Sequence, residues 1–262
     1  MKLRGRLSLL VVAGGLCAAW AVPTVAAAAP AYVALGDSYS SGVGTRIYYN
    51  DGSNCSRSPK AYGPLISSAR GYALNFQACS GAKTTDVNAN QLGPLNSSTN
   101  LVTITIGGND AGFTNVIENC AIPFFNCQGA INNANSFIKN QLPALLDTTY
   151  NDIRARATTA HVIVLGYPHL FTSDGKTCNF NALTSGEEKQ MNGSADNLDG
   201  VISSRAAAHR FTYVDPRNPF LPHEVCSGSE WLNGQSNPLS ESYHPNVSGQ
   251  ADFTSLIEGH LP

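Results

Sequence analysis

Charge is scarce in this sequence. Lys, Arg, Asp and Glu make up only 13% of its 262 residues, and beyond the first few residues the cations form no cluster. Without a basic patch the chain lacks the electrostatic footprint of a nucleic-acid binder. After Val22 it has no apolar run long enough to span a bilayer. No two cysteines stand at the two-residue spacing of a redox pair or zinc knuckle, so neither reading has support. Internal repeats, linkers and charge runs are missing too, and nothing divides the chain into several domains.

What is present begins with an export signal. Lys2, Arg4 and Arg6 precede an apolar run from Leu7 to Val22 and the small-residue stretch TVAAAAP. A basic n-region, a short h-region and an Ala-x-Ala site describe a secretory signal peptide. The run is too short and too rich in Gly and Ala for a transmembrane helix. Cleavage is expected between Ala26 and Ala31, for instance after Ala29, so residues 1–29 read as signal and 30–262 as one domain with a sizeable core. Losing three cations takes the formal charge from −2 to about −5. Of 7 cysteines, Cys17 leaves with the signal, while Cys55, Cys79, Cys120, Cys127, Cys178 and Cys226 remain. An even number in an exported chain predicts three disulfides. Spacing singles out only Cys120–Cys127, which would close a small loop.

Apolar runs between turn signals predict five strands: Tyr32–Leu35, Leu74–Cys79, Leu101–Ile106, His161–Leu165 and Phe211–Val214. Helical spacing runs over 130–157, with Pro143 predicting a kink or break, and over 185–209, opened by Ser185 and Glu188 at capping-box distance. A last helix is expected from near Asn246. Strands alternating with helices imply a parallel sheet covered on both faces. In such sheets ligand sites gather beyond the carboxyl ends of the strands.

Four stretches fall on that rim. Gly36-Asp37-Ser38-Tyr39-Ser40 follows the first strand, ACSGAKT with Gly81 follows the second, and Gly107-Gly108-Asn109-Asp110 follows the third. ESYHPN places His244 just before the last helix. Together they supply a serine hydrolase. A serine hydroxyl attacks once an imidazole takes its proton. The resulting oxyanion needs donors already in place, here the backbone N–H groups of Ser38 and Gly81 and the side-chain amide of Asn109. Each stretch alone is ordinary turn chemistry, and His223, in PHEV, competes with His244. Other motifs fail. The G-x-S-x-G elbow has Ser40 at its last position, the phosphate loop lacks the Gly-Lys pair, and Ser38 occupies the second glycine of a dinucleotide loop.

GDSYS, the glycine of SGA, GGND and the late YHP resemble, in order and spacing, the four blocks of the SGNH (GDSL) hydrolases across nearly the whole mature chain. The cysteines are similar to those of the small secreted bacterial GDSL lipases and phospholipases A1. The resemblance implies a three-layer α/β/α flavodoxin-like fold with a five-stranded parallel sheet. It also implies sequential disulfides, Cys55–Cys79, Cys120–Cys127 and Cys178–Cys226. Ser38 becomes the nucleophile, His244 the general base and acid, and Ser38, Gly81 and Asn109 the oxyanion hole. Many members carry Asp three residues before the histidine. Here that position is Glu241, and either its carboxylate or the main-chain carbonyl of Ser242 would orient His244.

The implied reaction is carboxylic-ester hydrolysis without metal or cofactor. Lipid esters are the expected substrate, since CAIPFFNC carries Ile122, Phe124 and Phe125 between two cysteines, where they would meet acyl chains or pack inward. A carbohydrate acetyl esterase is the alternative within enzymes, and an inactive secreted binding protein the alternative outside them. The expected partners are lipid or small esters, in aggregates or a membrane surface, for a protein acting as a monomer.

Overall fold

Short runs rich in Val, Ile, Leu and Thr form five strands that pair only in parallel. The computed structural model describes Met1 and residues 28–120, 127–174 and 183–262. The strands are β1 (Ala31–Gly36), β2 (Ala73–Phe76), β3 (Thr99–Thr105), β4 (His161–Leu165) and β5 (Thr212–Val214), in the spatial order β2-β1-β3-β4-β5. The order reverses at β1, so β1 and β3 lie side by side at the centre. The loops leaving their carboxyl ends therefore meet on one rim.

Alternate residues of β1, β3 and β4 feed two separate cores. Val33, Leu35, Val102, Ile104, Val162 and Val164 pack against α5 (Gln128–Asn140), α6 (Leu142–Arg156) and α7 (Ser185–Ala208). Tyr32, Ala34, Leu101, Ile163 and Leu165 pack on the other face against α2 (Tyr62–Arg70) and α9 (Val247–Glu258). Each fully buried Leu or Ile contributes about 1.5–3 kcal/mol. This is the three-layer α/β/α arrangement expected. Cys55–Cys79 and Cys120–Cys127 are bonded as expected. Cys226 is disulfide-bonded as well, while Cys178 lies outside the described residues, as does nearly all of the expected signal.

Several boundaries differ from the sequence reading by a few residues, while the break expected near Pro143 is present. β2 stops at Phe76 rather than Cys79, because the N–H groups of Gln77 and Ala78 both turn to the Ala34 carbonyl and that of Cys79 to Gly36. The 130–157 stretch breaks at Gln141, with Pro143 in the first turn of α6, where a missing N–H leaves no gap. The capping box of α7 is Thr184 and Glu187, one residue before the pair expected. Thr184 Oγ1 accepts from the Glu187 N–H, and Glu187 Oε2 accepts from the Thr184 N–H at 2.9 Å. Asn246 caps α9, its Oδ1 accepting the N–H groups of Ser248 and Gly249.

Candidate active site

The turn that carries Ser38 is built on Gly36. Its φ of +121° and the collision a Cβ would make with Ser40 Oγ and the Thr105 carbonyl leave room only for glycine. Gln91 clamps this residue, accepting its N–H at 2.7 Å and donating to its carbonyl at 2.9 Å. Asp37 then caps the short α1 (Ser38–Ser41), accepting the Tyr39 N–H at 2.9 Å. Ser38 is the first residue of that turn. Ser40 is no rival, since it is fully buried with its hydroxyl between Tyr62 and the Thr105 N–H.

His244 reaches the same place from a loop more than 200 residues away in sequence. Main-chain bonds hold that loop: Tyr243 N–H to Asn233 O at 3.0 Å and Asn233 N–H to His244 O at 2.9 Å. The Tyr39 hydroxyl donates to the Tyr243 carbonyl at 2.7 Å, tying the loop back to the residue after Ser38. Gly44 packs so closely that a Cβ there would lie 2.9 Å from His244 Cβ.

The imidazole joins two partners. Nε2 lies 2.8 Å from Ser38 Oγ, and Nδ1 lies 2.9 Å from the Ser242 carbonyl. A carbonyl only accepts, so Nδ1 carries the proton and Nε2 is the basic nitrogen facing the serine. Burial pushes the His244 pKa down to about 4, partly offset by the Ser242 carbonyl. Glu241, weighed as the orienting acid, does not reach the ring. Its carboxylate accepts from the Tyr48 hydroxyl at 2.7 Å and faces Arg46 Nε at 3.4 Å. The backbone turns at Ser242 in a way that offers the carbonyl and directs the acid to the neighbouring loop.

The other expected members converge from their own strands. The Asn109 amide donates to the Ala82 carbonyl at 3.0 Å, which brings the GGND turn against the Gly81 loop. That loop follows Cys79, whose N–H bonds Gly36. Among the described residues, the amide N–H groups of Ser38 and Gly81 have no acceptor. His223 is elsewhere, stacked on Trp231 and bonded to the Ser229 carbonyl.

Tyr167, which sequence reading passed over, and Asp110, whose partner it did not find, hold these pieces together. Tyr167, just past β4, donates its hydroxyl to Asp37 Oδ2 and accepts the Gly108 N–H at 3.1 Å. It thus connects the serine turn to the turn bearing Asn109. Burial raises the Asp37 pKa to about 7 against the opposing pull of the Tyr167 hydroxyl and the Tyr39 N–H. Asp110 caps α3 (Thr84–Asp86), accepting Thr84 Oγ1 at 2.6 Å, and so fixes GGND to the Gly81 loop a second time. An acid beside the serine and another ending GGND were visible; their partners were not.

Beside Ser38 and His244 opens a cavity walled by Phe113 and Ile117 of α4 (Phe113–Cys120), Leu170, and Ala195 and Leu198 of α7. Most of its wall is hydrocarbon. Ile122, Phe124 and Phe125 lie outside the described residues.

Comparison with known proteins finds relatives along nearly the whole chain. The GDSL-like Lipase/Acylhydrolase family matches residues 34–251. Lipase 1 of Streptomyces coelicolor is 43% identical over 267 residues, covering 100% of this chain and 96% of its own. The crystal structure of an extracellular lipase from Streptomyces rimosus superposes with a TM-score of 0.85 at 42% identity, covering 88% of this chain and 99% of that one. Phospholipase A1 from Streptomyces albidoflavus NA297 gives 0.84 at 45%, with the same coverage. The chain is a carboxylic-ester hydrolase and belongs to the GDSL-like lipase/acylhydrolase family.

Proposed function

We propose that this is a secreted lipase or phospholipase A1 working through a Ser38–His244 dyad. Ser38 Oγ attacks the ester carbonyl while its proton passes to His244 Nε2. The N–H groups of Ser38 and Gly81 and the free N–H of the Asn109 amide receive the oxyanion. The Ser242 carbonyl, at Nδ1, holds the tautomer and steadies the imidazolium as it forms. His244 then protonates the departing alcohol, and water repeats the sequence on the acyl-enzyme.

The observation that favours lipid over acetyl esters is the apolar cavity next to Ser38. Phe113, Ile117, Leu170 and Leu198 offer an acyl chain several buried methylene contacts, each worth about 0.8 kcal/mol per CH₂. An acetyl group would leave most of that wall unused. The relatives' names and the signal-like N-terminus support the same reading.

A fluorophosphonate should label wild-type protein and not Ser38→Ala. On p-nitrophenyl esters kcat/KM should rise with chain length from acetyl to octanoyl, and phosphatidylcholine should release fatty acid from the sn-1 position. A maximum at acetyl with no phospholipid turnover would favour the polysaccharide acetyl esterase. Absence of labelling would mark a binding protein.

A further inference from the structure

Beyond Met1, the described residues expose six large apolar side chains: Ile47, Tyr48, Tyr49, Leu221, Leu239 and Val247. Five of them belong to the two segments that frame His244. Scattered singly, exposed apolar residues are ordinary; concentrated at one edge of a catalytic site, they mark a contact surface. The two segments are joined to one another. The Tyr48 hydroxyl accepts the Gly44 N–H at 3.2 Å and donates to Glu241 at 2.7 Å, and Leu239 opens the 3₁₀ turn that Glu241 closes. Asn233 Nδ2 bridges the carbonyls of Gly44 and Glu241.

We propose that Ile47, Tyr49 and Leu239, on two segments that Tyr48 joins through Glu241, form a docking surface for aggregated ester lipid, resting on the lipid substrate proposed above. Three observations select this occupant. The patch lies on the segments around His244, one of which packs on that residue through Gly44, so lipid docked there would be held near the serine. It includes Tyr49, 47% exposed, whose apolar ring and polar tip suit the boundary between acyl chains and headgroups. Arg46, paired with Glu241 yet 62% exposed at the same edge, offers guanidinium donors that a lipid phosphate could accept.

The surface is also held in place before any contact. The Tyr49 N–H bonds the Arg57 carbonyl at 2.8 Å, Thr45 Oγ1 donates to Ser58 Oγ at 2.7 Å, and the Ser58 N–H returns to Ser41 at 2.8 Å. The following residues are tied to β2's end by Cys55–Cys79. Docking therefore requires little ordering of the chain. Leu239, 71% exposed, is the most prominent side chain of the group.

The test combines Ile47→Ser, Tyr49→Ser and Leu239→Ser, leaving Tyr48 and its bond to Glu241 intact. Binding is read by flotation of Ser38→Ala protein, with and without the triple change, on phosphatidylcholine vesicles. Turnover is read on the same vesicles and on monomeric p-nitrophenyl butyrate. The triple change should abolish flotation, lower vesicle turnover about tenfold or more, and leave butyrate turnover within about twofold. Undiminished flotation, or equal losses on both substrates, would overturn the proposal. So would a wild-type dimer that the triple change dissociates, since the patch would then serve a second copy. Flotation that depends on the patch without phosphatidylcholine hydrolysis would sustain the docking surface and fail the proposed substrate.

Discussion

The two halves of the proposed catalytic pair are held by different sets of partners. Ser38 sits on a turn fixed from within, by side chains: Gln91 on Gly36, Asp37 on the Tyr39 N–H, Tyr167 on Asp37 and Ser40 on Thr105. His244 sits on a rim loop fixed by main-chain bonds to Asn233 and by the side chains of Tyr39 and Asn233. Each half also has a buried acid close by, Asp37 beside the serine and Glu241 three residues before the histidine. Neither touches the imidazole. Both are spent on joining loops, and a carbonyl does the orienting that an acid does in a Ser-His-Asp triad.

The strongest way to probe this contrast is the histidine itself. His244→Ala should lower kcat by about 10⁴ or more, since the serine then has no proton acceptor. In wild type, burial holds the His244 pKa near 4. The neutral ring is the active form, so kcat/KM should stay level as pH falls from 8 and drop only as it passes through about 4. A limb near 6.5, the unperturbed value, would mean that the ring is better hydrated than its burial implies.

An intermediate effect belongs to the tie between the serine turn and the oxyanion turn. Tyr167→Phe leaves the Gly108 N–H without its acceptor and Asp37 Oδ2 without its donor. Small displacements of Asn109 relative to Ser38 weaken transition-state binding more than substrate binding. The expected result is a kcat about tenfold to a hundredfold lower with KM within about twofold, and a stability loss of about 1–3 kcal/mol in urea unfolding. Equal stability loss with unchanged kcat would assign Tyr167 to the fold alone.

This contrast also explains what was legible. The serine turn is one contiguous motif, and its glycine and short polar residues announce a sharp bend after a strand. The parallel sheet was legible because its central strands β1, β3 and β4 are buried on both faces and read as apolar runs. Tyr167 was hidden, because a tyrosine after a strand carries no local sign that its hydroxyl will find Asp37, 130 residues earlier. The partner of Nδ1 was likewise open, since a main-chain carbonyl is present at every residue and only the turn at Ser242 aims this one. α4 and α2 went unread, being short helices. Their apolar faces are completed by neighbours from other parts of the chain.

The smallest effect is expected at Glu241, and it discriminates most sharply for that reason. If its carboxylate oriented the imidazole, Glu241→Gln would favour the wrong tautomer, a change that lowers kcat by about 10⁴ in a Ser-His-Asp enzyme. In this structure the carboxylate serves Tyr48 and Arg46, and a glutamine oxygen still accepts from the Tyr48 hydroxyl. What is lost is the ion pair to an arginine that is 62% exposed, and such pairs are worth about 0–1 kcal/mol. Glu241→Gln should therefore keep kcat within about threefold and preserve the acid limb near pH 4, because the Ser242 carbonyl remains at Nδ1. A thousandfold loss would return the orienting role to the acid, and the two loops would then differ in position but not in kind.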